Sequence, residues 1–288
     1  VEEPLIGVTG ATGQVGRLVA RHLAAAGRRH RLLVRDPTSP RVPASPATVD
    51  VRRVDYADHD LCRDALRGVD VLLMVSAHES PTRVADQATF VDAAAAAGVR
   101  HVVYTSFAAA APDATFTLAR DHHATETHLA ASGVRWTALR DTLYLDFLED
   151  LVGADGVIRG PAGDGRCAVV ARADVARVAA TVLQQPDEHA DRAYDLTGPQ
   201  SLSLADVARI ISDVRGRHVT FHDETIDEAY ASRTVYGAPR WQVDAWVSTY
   251  TAIATNVMAE PTDTVERLTG IPPTTLETHL RSTPTVAP

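Results

Sequence analysis

"GVTGATGQVGRLVARHL", Gly7 to Leu23, sets Gly10, Gly13 and Gly16 directly after a short apolar run and directly before a helix-period segment. Each glycine has a physical task. The first permits a tight turn, the second lets the backbone approach a pyrophosphate, and the third lets the helix pack closely on a sheet. The helix start then offers unpaired N–H groups and a partial positive charge to phosphate. The stretch therefore predicts a strand, a phosphate-cradling turn and a helix. Thr9, Gly10, Thr12, Gly13, Gln14, Val15 and Gly16 are its candidate ligand contacts.

The pattern continues along the chain. Strand-like runs stand at Leu5–Thr9, Arg31–Val34, Val51–Val54, Val71–Val75, His101–Thr105 and Trp136–Leu139. Amphipathic stretches at Gln14–Ala26, Leu61–Leu66, Val84–Ala97 and Asp121–Ala131 lie between them. Such alternation builds a parallel sheet covered by helices on both faces, an α/β, Rossmann-type, doubly wound fold. After Arg140 the pattern loosens, and six glycine and proline positions from Gly153 to Gly165 punctuate a loop-rich region. Ala193–Gly198 reads as one more strand. Ser203 reads as the N-cap of a helix to Val214 that Gly216 closes, and the tail from Thr225 reads as mostly helical. The expected division is a dinucleotide-binding domain over 1–150 and a smaller, mostly helical substrate lobe over 151–288. Some strands of the second part are expected to return to the first sheet.

Composition narrows the function. The chain has 288 residues, 45% hydrophobic, with a formal net charge of -9. An acidic chain gains nothing from a nucleic-acid backbone, so nucleic acid is not an expected partner, and Arg28-Arg29-His30-Arg31 reads as a solvated turn. No apolar run approaches the ~20 residues of a membrane helix. Strand pattern begins at once, so no signal peptide is expected. Cys62 and Cys167 lie far apart outside any CxxC spacing and read as reduced thiols of a cytoplasmic protein. All 28 basic residues are arginine, which excludes Schiff-base chemistry and any catalytic lysine. No metal site is expected, because Asp121-His122-His123 is too contiguous to aim three ligands at one ion.

The glycine spacing after Thr9 resembles the short-chain dehydrogenase/reductase superfamily, in particular its extended and atypical branches. An acidic residue ending the second strand would accept the ribose hydroxyl of NAD. Arg35 stands there instead and suits the 2′-phosphate of NADP. NADP(H) is therefore favoured, and Asp36 beside it leaves NAD(H) as the alternative. The resemblance further implies that Asp55-Tyr56 contact adenine and that Ser76-Ala77 border the sugar and phosphates. Thr105 and Ser106 are further candidate cofactor contacts.

Conventional members of that superfamily use a serine, a tyrosine and a lysine four residues later, the tyrosine protonating a developing alkoxide. Phe107, Leu118 and His122 occupy those places here. "LARDHHATETHLAASGVRWTALRDTLYLDFL" (Leu118–Leu148) resembles instead the NmrA-like group, including type-2 NAD(P)H:quinone oxidoreductases and triphenylmethane reductase. The matching positions are Leu118-Ala119, His122, Thr125-Glu126, Leu139-Arg140 and Tyr144, with Asp141 where asparagine is usual.

That resemblance implies hydride transfer to a quinone or similar conjugated aromatic substrate. The chemistry agrees: a reduced quinone is a phenol whose pKa lies near the ~10 of tyrosine, so no dedicated strong acid is required. His122 is then the candidate catalytic residue, anchoring the nicotinamide ribose or assisting proton transfer. Phe107, Tyr144, Phe147 and Trp246 are candidates for stacking on a flat substrate, and Trp246 shares a helical face with Tyr250. Two other readings stand beside this one. Oxygen-dependent hydroxylation in aromatic tailoring is the first, and a non-catalytic NmrA-like dinucleotide sensor the second. The oligomeric state stays open.

Overall fold

The computed structural model describes residues 3–283. β1 (Ile6–Thr9) leads through α1 (Gln14–Ala25) to β2 (His30–Val34), and β3 (Thr48–Arg53) follows without a helix between. Then come α2 (His59–Leu66), β4 (Val71–Met74), α3 (Arg83–Ala97), β5 (His101–Phe107), α4 (Thr117–Ala131) and β6 (Arg135–Asp141). Short strands β7 (Val157–Gly160) and β8 (Arg166–Cys167) precede α5 (Arg172–Gln184) and β9 (Arg192–Leu196). β10 (Leu202–Ser203), α6 (Leu204–Arg215), β11 (Thr220–Asp223) and α7 (Ile226–Ser232) follow. The described chain ends with α8 (Arg240–Ala254), α9 (Thr264–Thr269) and α10 (Leu276–Ser282). No helix among the described residues is long and apolar enough to cross a membrane.

The main sheet runs β3-β2-β1-β4-β5-β6-β9. Its ladders are parallel, with Thr9 beside Leu33 on one flank of β1 and Val8 beside Leu73 on the other. β9 also runs with β6: Asp191 N donates to Trp136 O and Thr142 N to Leu196 O. The order of strands reverses between β1 and β4. In such sheets ligands bind beyond the carboxyl ends of the strands at that switch point, and the glycine turn stands there.

Burial explains the two-sided cover. Alternate strand residues face opposite ways, so Leu33, Leu72, Met74, Val102 and Tyr104 form one core with Leu66, Phe90, Val91 and Leu129 from α2, α3 and α4. The intervening Leu32, Leu73 and Val103 are fully buried on the other face. There α1 and α5 contribute Val19, Leu23, Val175 and Val178.

The chain forms two compact units. The first comprises the chain up to Ala110 together with Asp121–Arg140 and Arg172–Asp195. The second comprises Ala111–Arg120, Asp141–Ala171 and the chain from Leu196. The chain thus crosses between units several times rather than once near residue 150, and α5 and β9 return to the first. In the second unit, β8 pairs antiparallel with β10 and β7 parallel with β11. Ser203 caps α6 through a reciprocal box with Asp206, and Gly216 ends it in a left-handed conformation, as its turn chemistry demands.

Candidate functional site

The turn after β1 is built to be approached closely. Gly10 has φ +61, and Gly13 N donates back to Gly10 O at 2.8 Å. A Cβ at Gly16 would lie 2.4 Å from Gly10 O, so only a bare helix start lets α1 sit against the turn. No side chain caps α1 and its first turn carries no acidic residue. Its first N–H groups and dipole are left for an anion. Among the candidates of this turn Val15 is buried, Thr12 half-buried, and Gly13 and Gln14 exposed. These features fit a pyrophosphate.

Arg35 follows β2 exposed, without an ion pair or hydrogen bond among the described residues. Asp36 turns to its own loop, accepting from Thr38 N at 2.9 Å and Thr38 Oγ1 at 2.6 Å. Those two bonds hold its carboxyl below the usual range. A free guanidinium beside an occupied carboxylate fits a 2′-phosphate better than a ribose hydroxyl.

Thr9 and Tyr56 stand in one hydrogen-bond cluster. Thr9 Oγ1 donates to Leu73 O and accepts from Val75 N and the Tyr56 hydroxyl. The Tyr56 ring stacks on Phe90 at 4.0 Å between centroids. Asp55, before it, is exposed and accepts from Ala57 N. Beyond β4, Ser76 N donates to Thr105 Oγ1 at 2.9 Å. Ala77 is held at both ends of its backbone: its N donates to Gln87 Oε1 and its O accepts from Arg83 Nε, each at 2.9 Å. The segment from Val75 to Ala77 is therefore a ledge fixed by side chains from β1, α3 and β5.

His122 belongs to the same wiring. Arg83 Nη2 donates to its Nε2 at 2.9 Å, so the ring proton sits on Nδ1, which meets the Tyr104 hydroxyl at 2.9 Å. Tyr104 donates onward to Gln87 Oε1, and Arg83 also reaches Asp121 at 3.3 Å. The imidazole is buried, with 6% of its surface exposed. Burial, and secondarily the Arg83 guanidinium, hold its pKa well below the usual histidine range. It is neutral at neutral pH with both nitrogens engaged. Ser106 is engaged as well: its hydroxyl donates to Glu126 Oε1 at 2.5 Å, and Glu126 takes a bidentate pair from Arg140.

The candidate substrate residues have separate surroundings. Phe107, in the first unit, lies 6.1 Å from the His122 ring. In the second unit, Phe147 lines an apolar cavity with Leu143, Cys167, Tyr250 and Ile253. Burial pushes the Cys167 thiol up to about 12, so it is no thiolate nucleophile. Tyr144 donates to Asp141. Trp246 packs beside Ala229, Val243 and Val247 and edge-on to Tyr236. Tyr250, one turn on, lies instead beneath Arg233.

Sequence reasoning missed Arg83, Gln87 and Tyr104. A signal existed: Arg83 and Gln87 lead the buried stripe that continues through Phe90, Val91 and Ala94 on α3. Two polar residues in an apolar stripe need internal partners.

Three proteins resemble this chain in sequence or in fold. Quinone oxidoreductase 2 of Escherichia coli (strain K12) is 32% identical over 277 residues, covering 94% of this chain and 96% of the relative. NAD(P)H azoreductase of Xenophilus azovorans is 32% identical over 276 residues, covering 93% and 94%. The crystal structure of Citrobacter sp. triphenylmethane reductase complexed with NADP(H) superposes with a TM-score of 0.84 at 30% identity, covering 96% of this chain and 99% of that one. The signature of the NmrA-like family matches residues 2–239, and the chain belongs to that family.

Proposed function

We propose that this protein reduces quinones and related flat, conjugated aromatic acceptors with hydride from NADPH. It is an NAD(P)H-dependent oxidoreductase of the NmrA-like family. One observation carries the choice of substrate: an open dinucleotide cradle occurs in a chain with no lysine and with Leu118 and His122 where a tyrosine–lysine dyad would stand. The acceptors named for the relatives, a quinone, an azo compound and a triphenylmethane, support the same choice.

When bound, the nicotinamide ring supplies the hydride. The Gly10–Gly16 turn and the start of α1 hold the pyrophosphate, Arg35 the 2′-phosphate, and Thr12, Gln14 and Asp55 border the path between. The Val75–Ala77 ledge, with Thr105 and Tyr56 behind it, would orient the ring half of the coenzyme. His122, a neutral ring, serves that ledge through Arg83 and Tyr104 as a positioning residue rather than as an acid. Quinone, hydride and one proton give the hydroquinone. Its conjugate base titrates near ~10, so solvent water delivers the proton. Phe107, beside the His122 ring, supplies aromatic surface for the planar acceptor.

The test is NADPH consumption by purified protein with a panel of quinones, azo dyes and triphenylmethane dyes, against simple ketones. Consumption with the conjugated acceptors and none with the ketones is expected. Consumption with none of them, despite NADPH binding, would replace this reading by that of a sensor. Oxygen uptake in step with NADPH loss would replace it by hydroxylation.

A further inference from the structure

Four arginines stand on β2, β3 and the residue after β2, and the structure treats them in two ways. Arg31 Nε and Arg52 Nε both bind Asp50, at 2.6 and 2.9 Å, and Arg31 also donates to Ala65 O and Arg67 O. Arg35 and Arg53 are exposed, with no ion pair or hydrogen bond among the described residues. They are also neighbours. Arg53 is the ladder partner of Val34, and Val54 N donates to Val34 O at 2.9 Å, so Arg53 flanks the residue just before Arg35. Adjacent strands lie roughly 4.8 Å apart, so Arg53 stands at the end of the ladder next to the bend at Arg35.

Neither carboxylate beside this pair forms an ion pair with it among the described residues. Asp36 is held by Thr38, and Asp55 accepts from Ala57 N at 3.3 Å. Two like charges at neighbouring strand ends repel one another. A compact dianion between them reverses the sign of that term. β2 borders β1 directly, so the pair stands at the same carboxyl edge as the Gly10–Gly16 turn.

We infer that Arg53 is a second guanidinium for the 2′-phosphate of NADPH, gripping it together with Arg35 at the carboxyl end of the β2–β3 ladder. The inference rests on the NADPH reading above. It makes Arg53 a specificity residue, selecting NADPH over NADH without touching the reacting atoms. Such a group adds affinity only for the coenzyme that carries the extra phosphate.

Equilibrium titration of NADPH and of NADH against the wild type, Arg53→Gln, Arg35→Gln and Arg52→Gln tests it. Each substitution is at an exposed position, and Arg52→Gln removes the same charge from the neighbouring residue. One charge-assisted contact corresponds to about a tenfold change in affinity. Arg53→Gln is expected to lower the NADPH-to-NADH affinity ratio by about that factor, Arg35→Gln by at least as much, and Arg52→Gln to leave it unchanged. If Arg35→Gln collapses the ratio while Arg53→Gln behaves like Arg52→Gln, or weakens both coenzymes alike, the role of Arg53 is overturned and the NADPH reading stands. If the wild type binds both coenzymes equally, or Arg35→Gln leaves the ratio intact, both fall together.

Discussion

The carboxyl edge of β1, β2 and β3 and the interior between β5, α3 and α4 belong to one unit, yet they treat polar groups in opposite ways. At the edge, α1 starts without a cap, and Arg35 and Arg53 stand bare. In the interior, Arg83, Gln87, Tyr104, His122 and Thr125 satisfy one another almost completely. An exposed group left open costs little, because water serves it until a ligand arrives. A buried one left open costs roughly 1–3 kcal/mol, so the interior has to close its network within the chain. The open edge is therefore where binding is expected, and the closed interior holds the nearby ledge rigid.

The comparison breaks most readily at Arg83. Arg83→Met leaves Ala77 O, His122 Nε2 and Asp121 without their shared donor, and should cost about 3 kcal/mol or more in urea unfolding. Stability equal to the wild type would show that the closed network holds nothing in place. Gly16→Val acts on the open edge. Its side chain would collide with Gly10 O and Thr9 O, lowering stability by about 2 kcal/mol and abolishing NADPH binding in a titration. Intact affinity in that variant would mean that the phosphate cradle lies elsewhere.

Acid should distinguish the regions without mutation. Burial holds His101 at about 4 and His122 well below its usual value. Both therefore take up protons on unfolding. Their stabilising effect is complete above the unfolded pKa of about 6.5 and is lost as pH falls from there toward the folded values. Between pH ~7.5 and ~5 His101 alone should cost about 2 kcal/mol, with His122 acting in the same direction. Unfolding free energies that do not fall over this range would contradict neutral, buried rings. The smallest effect belongs to Asp36→Asn. Its carboxylate is committed to Thr38 at an exposed position, so stability and the NADPH-to-NADH ratio should both barely move. A large rise in the ratio would show that Asp36 competes with the 2′-phosphate.

Much of the fold was legible before any coordinates. Five of the six strand-like runs before Arg140 begin within one residue of the observed strands, and Ser203 and Gly216 bound α6 as their turn chemistry predicts. Those signals are local: side-chain period, capping residues and glycine backbone. The division near residue 150 was not legible. The return of a later strand to the first sheet was expected, and β9 makes it, but nothing local says that α5 rejoins the first unit as well. The shared helical face of Trp246 and Tyr250 was a correct local period. It misled as to surroundings, since one ring meets Tyr236 and the other lies under Arg233.

The linear chain by itself settled the strand–turn–helix at Gly7–Leu23, the parallel α/β pattern and the lack of any lysine chemistry, because these depend on residue type and spacing over a turn or two. Tertiary structure alone decided who meets whom. Arg83 and His122 lie 39 residues apart. Whether His122 is an open base or a closed, neutral ring depends on packing that brings α3 and α4 onto one face of the sheet. Arg35 and Arg53 likewise became neighbours only when β3 took its register against β2, a pairing whose energy is shared among many distant contacts and is written in no single stretch.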